Sequence, residues 1–258
     1  MNADIIKDVR RTKPLIHHLT NQVVMNFTAN GLLAFGGAPV MAKAEEEAAD
    51  MATAANGVLI NIGTLTSAEL PAMIKAAVAA NQKGIPVVLD PVGVAATSFR
   101  MDAVKQLTEE IQFTAIKGNA GEMAHLVQTP WETKGVDSIG KGDAKEVAKK
   151  VADTLQTSAV VTGETDYIYT NGKLFSNQSG DPLLGSITGA GCLLGSIMTA
   201  CLTTDHNTED CLKTAVSFYG LAASYAANQQ QVQGPGSFLP AFIDALSMDV
   251  QTLEERES

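Results

Sequence analysis

Short apolar runs that end in polar or glycine-containing turns alternate along this chain with longer runs of helical spacing. The predicted strands are 15–19, 57–62, 85–89, 114–116 and 159–162, and the predicted helices between them are 67–82, 120–127 and 143–155. Strands that alternate with helices in this way form βαβ units around a parallel sheet. The pattern therefore predicts an α/β fold with a mostly parallel central sheet and helices on both faces.

Two segments depart from that alternation. Residues 166–176 place Asn171-Gly172 between two runs of aromatic and aliphatic side chains, which predicts an antiparallel hairpin at one edge of the sheet. After Cys192 the chain is predicted to be helical, with breaks near 205–207 and 234–236. Since no repeat and no low-complexity linker divides the sequence, we expect residues 1–258 to form a single domain.

Composition excludes several classes of protein. The chain carries 18 Lys and Arg against 28 Asp and Glu, a net charge of −10, and no basic stripe that would bind nucleic acid. Its 3 cysteines are widely spaced and include no C-x-x-C pair, which argues against disulfides and structural zinc. The sequence shows no signal peptide, and no apolar run reaches the roughly 18 to 20 residues that span a bilayer. We expect a cytoplasmic protein that binds neither nucleic acid nor membrane.

Residues 188–192 (Thr-Gly-Ala-Gly-Cys) run directly into an apolar, helix-like stretch. Small residues at a helix start leave backbone N–H groups free to bind an anion, and the helix dipole strengthens that attraction. Cys192 lies in the first turn, where the same field favours its thiolate. The motif predicts transfer of a negatively charged group, as in a kinase. The alternative for Cys192 is a small buried apolar side chain, which is the role predicted for Cys201 and Cys211.

Polar residues follow the predicted strands, at the end of the sheet where doubly wound folds bind ligands. Asp90 either binds Mg²⁺, directly or through water, or caps the turn before a proline. Asn119 and Glu122 either form a capping box or contact phosphate and the ion, and both roles can coexist. The other residues expected to line this crevice are Gly63, Thr64, Lys117, Gly118, Thr162, Gly163 and Glu164.

These segments together resemble the hydroxyethylthiazole kinases, a family of the ribokinase-like superfamily. The resemblance covers almost the whole chain and rests on ordered blocks at 20–21, 26–30, 39–42, 61–65, 89–93, 117–119, 162–164, 188–192 and 234–238. It implies a three-layer αβα ribokinase-like fold without a separate lid domain.

The resemblance also implies ATP- and Mg²⁺-dependent phosphorylation of the primary alcohol of 4-methyl-5-(2-hydroxyethyl)thiazole, a step of thiamine biosynthesis and salvage. It implies a homotrimer with active sites at subunit interfaces. Cys192 then stands where most of the superfamily carries an aspartate base. The remaining implied site residues are Gly189, Ala190 and Gly191 as the anion hole, Asp90 and Glu122 for the metal, Lys117, Thr162 and Asn119 for ATP, and Met41, Gly189 and Asn21 for the thiazole.

One position departs from the family pattern, because Lys117 stands where these kinases usually carry arginine. Lysine keeps the positive charge but loses the bidentate fork. Three other functions stay open: a hydroxymethylpyrimidine or sugar kinase, a nicotinamide-hydrate dehydratase, and a catalytically silent binder. The two enzyme alternatives usually carry aspartate at the position of Cys192.

Overall fold

The computed structural model describes residues 1–131, 133–134, 137–138 and 143–254. The strands within this part of the chain are β1 (Leu15–Leu19), β2 (Ala38–Val40), β3 (Gly57–Asn61), β4 (Val87–Asp90), β5 (Ala115–Asn119), β6 (Thr133–Lys134), β7 (Asp137–Ser138), β8 (Ser158–Thr162), β9 (Asp166–Thr170) and β10 (Lys173–Asn177). Eight of them form one sheet in the order β10-β9-β8-β5-β4-β3-β1-β2, while β6 and β7 form a separate ribbon.

The central sheet is parallel from β2 to β8 and antiparallel only at one edge. There β9 and β10 form a hairpin that pairs antiparallel with β8. Asn171 and Gly172, which connect the two strands, both adopt positive φ angles, of 50° and 75°. The predicted edge hairpin is therefore confirmed.

Helices cover both faces of the sheet, as predicted. In the described part of the chain they are α1 (Ala3–Thr12), α2 (Met25–Phe35), α3 (Ala48–Ala54), α4 (Leu70–Gln82), α5 (Ser98–Glu110), α6 (Ala120–Leu126), α7 (Ala144–Leu155), α8 (Ala190–Leu202), α9 (Thr208–Ala227), α10 (Pro235–Leu246) and α11 (Val250–Glu254). Val58 and Ile60 of β3 belong to the core shared with α3 to α7, whereas Leu59 between them belongs to the core shared with α1, α2 and α8 to α11. This alternation is the period of two expected of a strand buried on both faces.

Two element boundaries differ from the prediction by three residues. The strand predicted to end at residue 116 continues to Asn119, because residues 117–119 pair with the end of β8. The helix predicted from residue 67 begins only at Leu70, because Thr66 donates its N–H and its hydroxyl to the Glu69 carboxylate and closes a turn there. The first difference places Lys117 inside a buried strand.

A buried histidine holds α8 against β1. The Nδ1–H of His18 donates to the Ile16 carbonyl at 2.9 Å, and its Nε2 accepts the Ser196 hydroxyl at 2.7 Å. Burial lowers the pKa of His18 to about 4, so the ring is neutral at physiological pH. This bond fixes α8 one turn after Cys192. Within the described ranges, no helix combines the length and apolarity needed to cross a bilayer.

Candidate active site

Three neighbouring strands carry buried polar side chains at their carboxyl ends. Asn61 ends β3, Asp90 ends β4 as its register partner, and Lys117 lies in β5; their exposed fractions are 1%, 0% and 3%. Asn61 Nδ2 donates to Asp90 Oδ2 at 2.7 Å, and Lys117 Nζ donates to Asp90 Oδ1 at 3.1 Å. The carboxyl ends of parallel strands share one edge, which brings these residues together.

The start of α8 closes this chain of contacts into a ring. Lys117 Nζ also donates to the Gly191 carbonyl at 2.9 Å. Asn21, just after β1, donates from Nδ2 to Asn61 Oδ1 at 2.9 Å and to Cys192 Sγ at 3.4 Å. We name these six residues, Asn21, Asn61, Asp90, Lys117, Gly191 and Cys192, the polar ring. It joins the strand ends to the glycine-containing helix start.

The buried charges of the polar ring stabilise one another. Burial by itself would lower the pKa of Lys117, but the acidic groups around it, with Asp90 the strongest, together outweigh burial and raise that pKa, so the ammonium stays charged. Burial raises the pKa of Asp90, against the opposing effect of the Lys117 charge and the Asn61 N–H. Removal of either partner would leave an uncompensated buried charge.

Cys192 is a neutral thiol in this arrangement. Its exposed fraction is 9%, and burial together with the negative charge of Asp90 raises its pKa to about 11, despite Lys117 and the amides of Asn61 and Asn21. The expectation that the helix start favours a thiolate is therefore wrong for this state. A helix terminus attracts negative charge, but desolvation of the sulfur and a carboxylate in the same ring outweigh that attraction.

The glycine-containing segment before Cys192 leads into a helix start, as the motif predicted. Gly189 precedes α8 with φ +93°, and a Cβ added there would lie 2.5 Å from Cγ1 of Val24. No side chain caps the start of α8, a helix that the structure describes in full. Tyr219 holds the first turn from α9, since its hydroxyl donates to the Ala190 carbonyl at 2.6 Å. Unsatisfied first-turn N–H groups are available for an anion.

Glu122 closes the capping box that its spacing predicted, and it also reaches a second loop. Its Oε2 accepts the Asn119 N–H at 2.9 Å, while Asn119 Oδ1 accepts the Glu122 N–H at 2.9 Å. Its Oε1 accepts the Gly93 N–H at 2.8 Å, beyond the end of β4. Burial and the nearby Asp90 charge raise the pKa of Glu122. The structural and the functional roles considered for this residue are thus compatible.

Comparison with known proteins places the chain in a family. The model of the hydroxyethylthiazole kinase family matches residues 6–251. The chain belongs to this family. Hydroxyethylthiazole kinase 1 of Oceanobacillus iheyensis is 62% identical over 257 residues, with 100% of both chains covered.

Solved structures support the same assignment. The hydroxyethylthiazole kinase protein of Pyrococcus horikoshii OT3 matches with a TM-score of 0.87 and 35% identity, over 98% of this chain and 95% of that one. A ribokinase-like superfamily protein of Enterococcus faecalis V583 matches with a TM-score of 0.65 and 15% identity, over 95% and 94% of the two chains, and shows likeness of fold alone. The predicted family and its three-layer ribokinase-like fold are confirmed.

For a hydroxyethylthiazole kinase, the fit of a magnesium ion depends on which oxygens are free. Among the described residues, no three or more His, Cys, Asp and Glu side chains form a metal-binding group. Mg²⁺ commonly needs only one or two carboxylates together with phosphates and water. Glu122 fits this use, since each of its oxygens accepts one N–H and keeps a further lone pair. Asp90 is fully buried with both oxygens engaged, so it fits a role through water better than direct ligation.

The remaining predicted residues lie at the same end of the sheet. Thr162 ends β8 as the register partner of Asn119, and both are half-buried. Met41 follows β2, which pairs with β1, and is half-buried. Asn21 differs from these, because its Oδ1 accepts the Val24 N–H at 3.2 Å while its Nδ2 serves Asn61 and Cys192. Its polar atoms thus already have protein partners.

Two residues of this family member were not singled out as site residues from the sequence. Asn61 was counted within a strand, although an asparagine in an otherwise apolar run is the signal that could have revealed it. Arg100, in α5, donates to the carbonyls of Ile62 at 2.5 Å, Gly63 at 2.7 Å and Val92 at 2.8 Å. It ties together the loops after β3 and β4, and no local sequence pattern reveals that contact.

Proposed function

We propose that this chain transfers the γ-phosphoryl group of ATP to the primary alcohol of 4-methyl-5-(2-hydroxyethyl)thiazole, in the presence of Mg²⁺, and so forms the thiazole phosphate used in thiamine biosynthesis. Membership of the hydroxyethylthiazole kinase family supports the reaction. The observation that carries the proposal is the polar ring, because it sets Cys192 and the uncapped start of α8 against the Lys117 ammonium.

The backbone of 189–191 receives the transferring phosphoryl group in this proposal. Its N–H groups and the dipole of α8 stabilise negative charge, and Lys117 adds a buried cation one hydrogen bond away. Asn119 and Thr162 hold the nucleotide at the ends of β5 and β8. On the acceptor side, Met41, Gly189 and Asn21 lie where the thiazole alcohol would bind.

Cys192 orients the alcohol for in-line attack. Because its pKa is raised to about 11, the sulfur is protonated at neutral pH and acts on the hydroxyl by hydrogen bonding. Phosphoryl transfer through a loose transition state needs little prior removal of the alcohol proton, so orientation supplies much of the catalysis.

Glu122 would hold the magnesium ion with the free lone pairs of its carboxylate, and Asp90 would act on it through bound water. When bound, the ion offsets charge on the β- and γ-phosphates. Glu122 is suited to this role because Gly93 and Asn119 orient its carboxylate before any ligand arrives.

We further propose that residues 1–258 form a single kinase domain, that the protein is cytoplasmic, and that it assembles as a homotrimer with active sites at subunit interfaces. The family resemblance supports the trimer. Light scattering coupled to size exclusion tests the assembly, and a monomeric mass at assay concentration would contradict it.

A coupled assay of ADP release with a panel of acceptors tests the function. ADP release that depends on the thiazole alcohol supports the proposal, and phosphate on the product alcohol confirms the transfer. Release that depends on hydroxymethylpyrimidine, a sugar or a nicotinamide hydrate would instead assign one of the alternative activities. No release with any acceptor would identify a silent binder.

A further inference from the structure

Backbone groups determine which way both asparagines of the polar ring face. Asn61 Oδ1 accepts the Gly63 N–H at 3.0 Å, and Asn61 Nδ2 faces the Asp90 carboxylate, which can only accept. Asn21 Oδ1 accepts the Val24 N–H at 3.2 Å. If either amide were flipped, donors would face donors and acceptors would face acceptors. The hydrogen bonds therefore assign one orientation to each side chain.

These orientations leave the sulfur with a defined partner. Asn21 uses one N–H on Asn61 Oδ1 and directs the other at Cys192 Sγ, 3.4 Å away. The sulfur accepts that bond, so its own proton points away from Asn21. The exposed fractions of Asn21 and Asn61 are 5% and 1%, so water competes little for these contacts.

We propose that Asn61 is a positioning residue for phosphoryl transfer, which acts through Asn21 to set the direction of the Cys192 thiol. Asp90, itself held by Lys117, anchors Asn61 from the other side. One route of influence runs from Asp90 to Asn61, then to Asn21, then to the sulfur, and the Asn61 amide also acts on the sulfur itself. This inference rests on the proposed function, since it assumes that Cys192 orients the acceptor alcohol.

A double-mutant cycle tests the inference. Single-turnover rates, with enzyme in excess over the thiazole alcohol, are measured for the wild type, Asn61→Ala, Cys192→Ala and the double variant. We expect Asn61→Ala to lower the rate at least about tenfold, because it leaves buried polar groups unpaired and frees the thiol. The KM for ATP should change by less than about threefold, since the nucleotide is held elsewhere. In the Cys192→Ala background the same change should cost less than about threefold.

Asn81→Ala is the matched control. Asn81 likewise donates from Nδ2 and accepts at Oδ1, to the Gln112 carbonyl at 2.9 Å and from the Gln112 N–H at 2.8 Å, at the opposite end of the sheet. It should leave the rate within about twofold of wild type. If Asn61→Ala does not fold, Asn21→Ala replaces it in the cycle, because it removes the last link and leaves the Asn61 contacts with Asp90 and Gly63 in place.

Equal losses in the two backgrounds, or a change confined to KM, would overturn the positioning role. A wild-type protein that releases no ADP with the thiazole alcohol would instead overturn the proposed function, and the inference with it. The two failures are distinguishable because the first requires an active wild type.

Discussion

The two ends of the central sheet differ in what they bury. At the amino end, a hollow of about 400 Å³ opens beside the starts of β5 and β8. Among the described residues that line it, the only charged side chain is Asp153, which is exposed. At the carboxyl end, Asp90, Lys117 and Glu122 are all buried within a few hydrogen bonds of one another. Buried charge, and not the size of a cavity, marks the end of this molecule at which we propose that the reaction takes place.

The difference has a structural cause. Carboxyl ends of parallel strands face the starts of the helices that follow, so buried charges there find backbone donors and countercharges. At the amino end, an ion pair such as Lys173–Glu209, with its atoms 3.3 Å apart, stays in water because Lys173 is 65% exposed. Ion pairs with similar N–O distances are therefore buried at the carboxyl end, where breaking one is strongly destabilising, and exposed at the amino end, where breaking one has little effect on stability.

Lys117→Met gives the sharpest test of this contrast. It leaves Asp90 buried without its cation, so we expect a loss of about 3–5 kcal/mol in the free energy of unfolding and at least a roughly hundredfold fall in kcat. Lys173→Met removes the exposed pair and should cost less than about 1 kcal/mol. Urea unfolding and the ADP assay measure both; equal costs for the two variants would refute the comparison.

The two buried cysteines of α8 allow a second comparison of the two ends. Cys192 lies in the first turn of the helix, at the carboxyl end of the sheet, and Cys201 lies near the other end of the helix. Cys192→Ala should lower kcat at least about tenfold with little change in the KM for ATP, because the alcohol loses its orienting contact. Cys201→Ala should keep activity and lose about 1 kcal/mol of stability through packing. Unchanged kcat in Cys192→Ala would exclude a role in the reaction.

Cys192→Asp is expected to remain active. A carboxylate can accept the Asn21 N–H and orient the alcohol, and it is the usual choice in the wider superfamily. Steady-state kinetics, with circular dichroism as the check on folding, measures this outcome. A folded but inactive variant would contradict the assigned role of this position.

Substitutions at two glycines with positive φ angles distinguish the effect of backbone strain from the effect of steric crowding. Gly189→Ala combines the strain of φ +93° with a Cβ only 2.5 Å from Val24, so about 2–4 kcal/mol and several-fold in kcat should be lost. Gly172→Ala, at φ +75° with no atom within 4 Å of the added Cβ, should cost only about 1 kcal/mol and no activity. The two variants are compared by thermal unfolding and by their kcat. Equal losses of stability and activity in both would show that crowding at Gly189 has no effect.

The smallest expected effect is the change of kcat with pH. With the pKa of Cys192 raised to about 11, the thiol keeps its proton throughout the range from about pH 7 to 9, so its contribution to kcat should stay constant. A thiolate base would instead increase kcat about tenfold per pH unit over that range. A measured profile with that slope would replace the orienting role of the thiol with proton removal.

The sequence predicted the alternation of strands and helices, the edge hairpin and the helical C-terminal part, because hydrophobic periodicity and turn residues are local signals. It also predicted Asp90, Lys117, Glu122 and Cys192 as site residues. The end of β5 was missed because a lysine and an asparagine are poor strand formers. Their pairing with β8 and the Asp90 contact override that preference.

By itself, then, the sequence determined the fold class, the family and the glycine-containing helix start at residues 188–192, since each depends on residues close together in the chain or on ordered motifs. Only the tertiary structure decided the partners of Asn61, the contacts of Arg100 and the protonation of Cys192. Those properties depend on burial and on charges from distant segments, and a thiol's pKa follows the surroundings that folding creates.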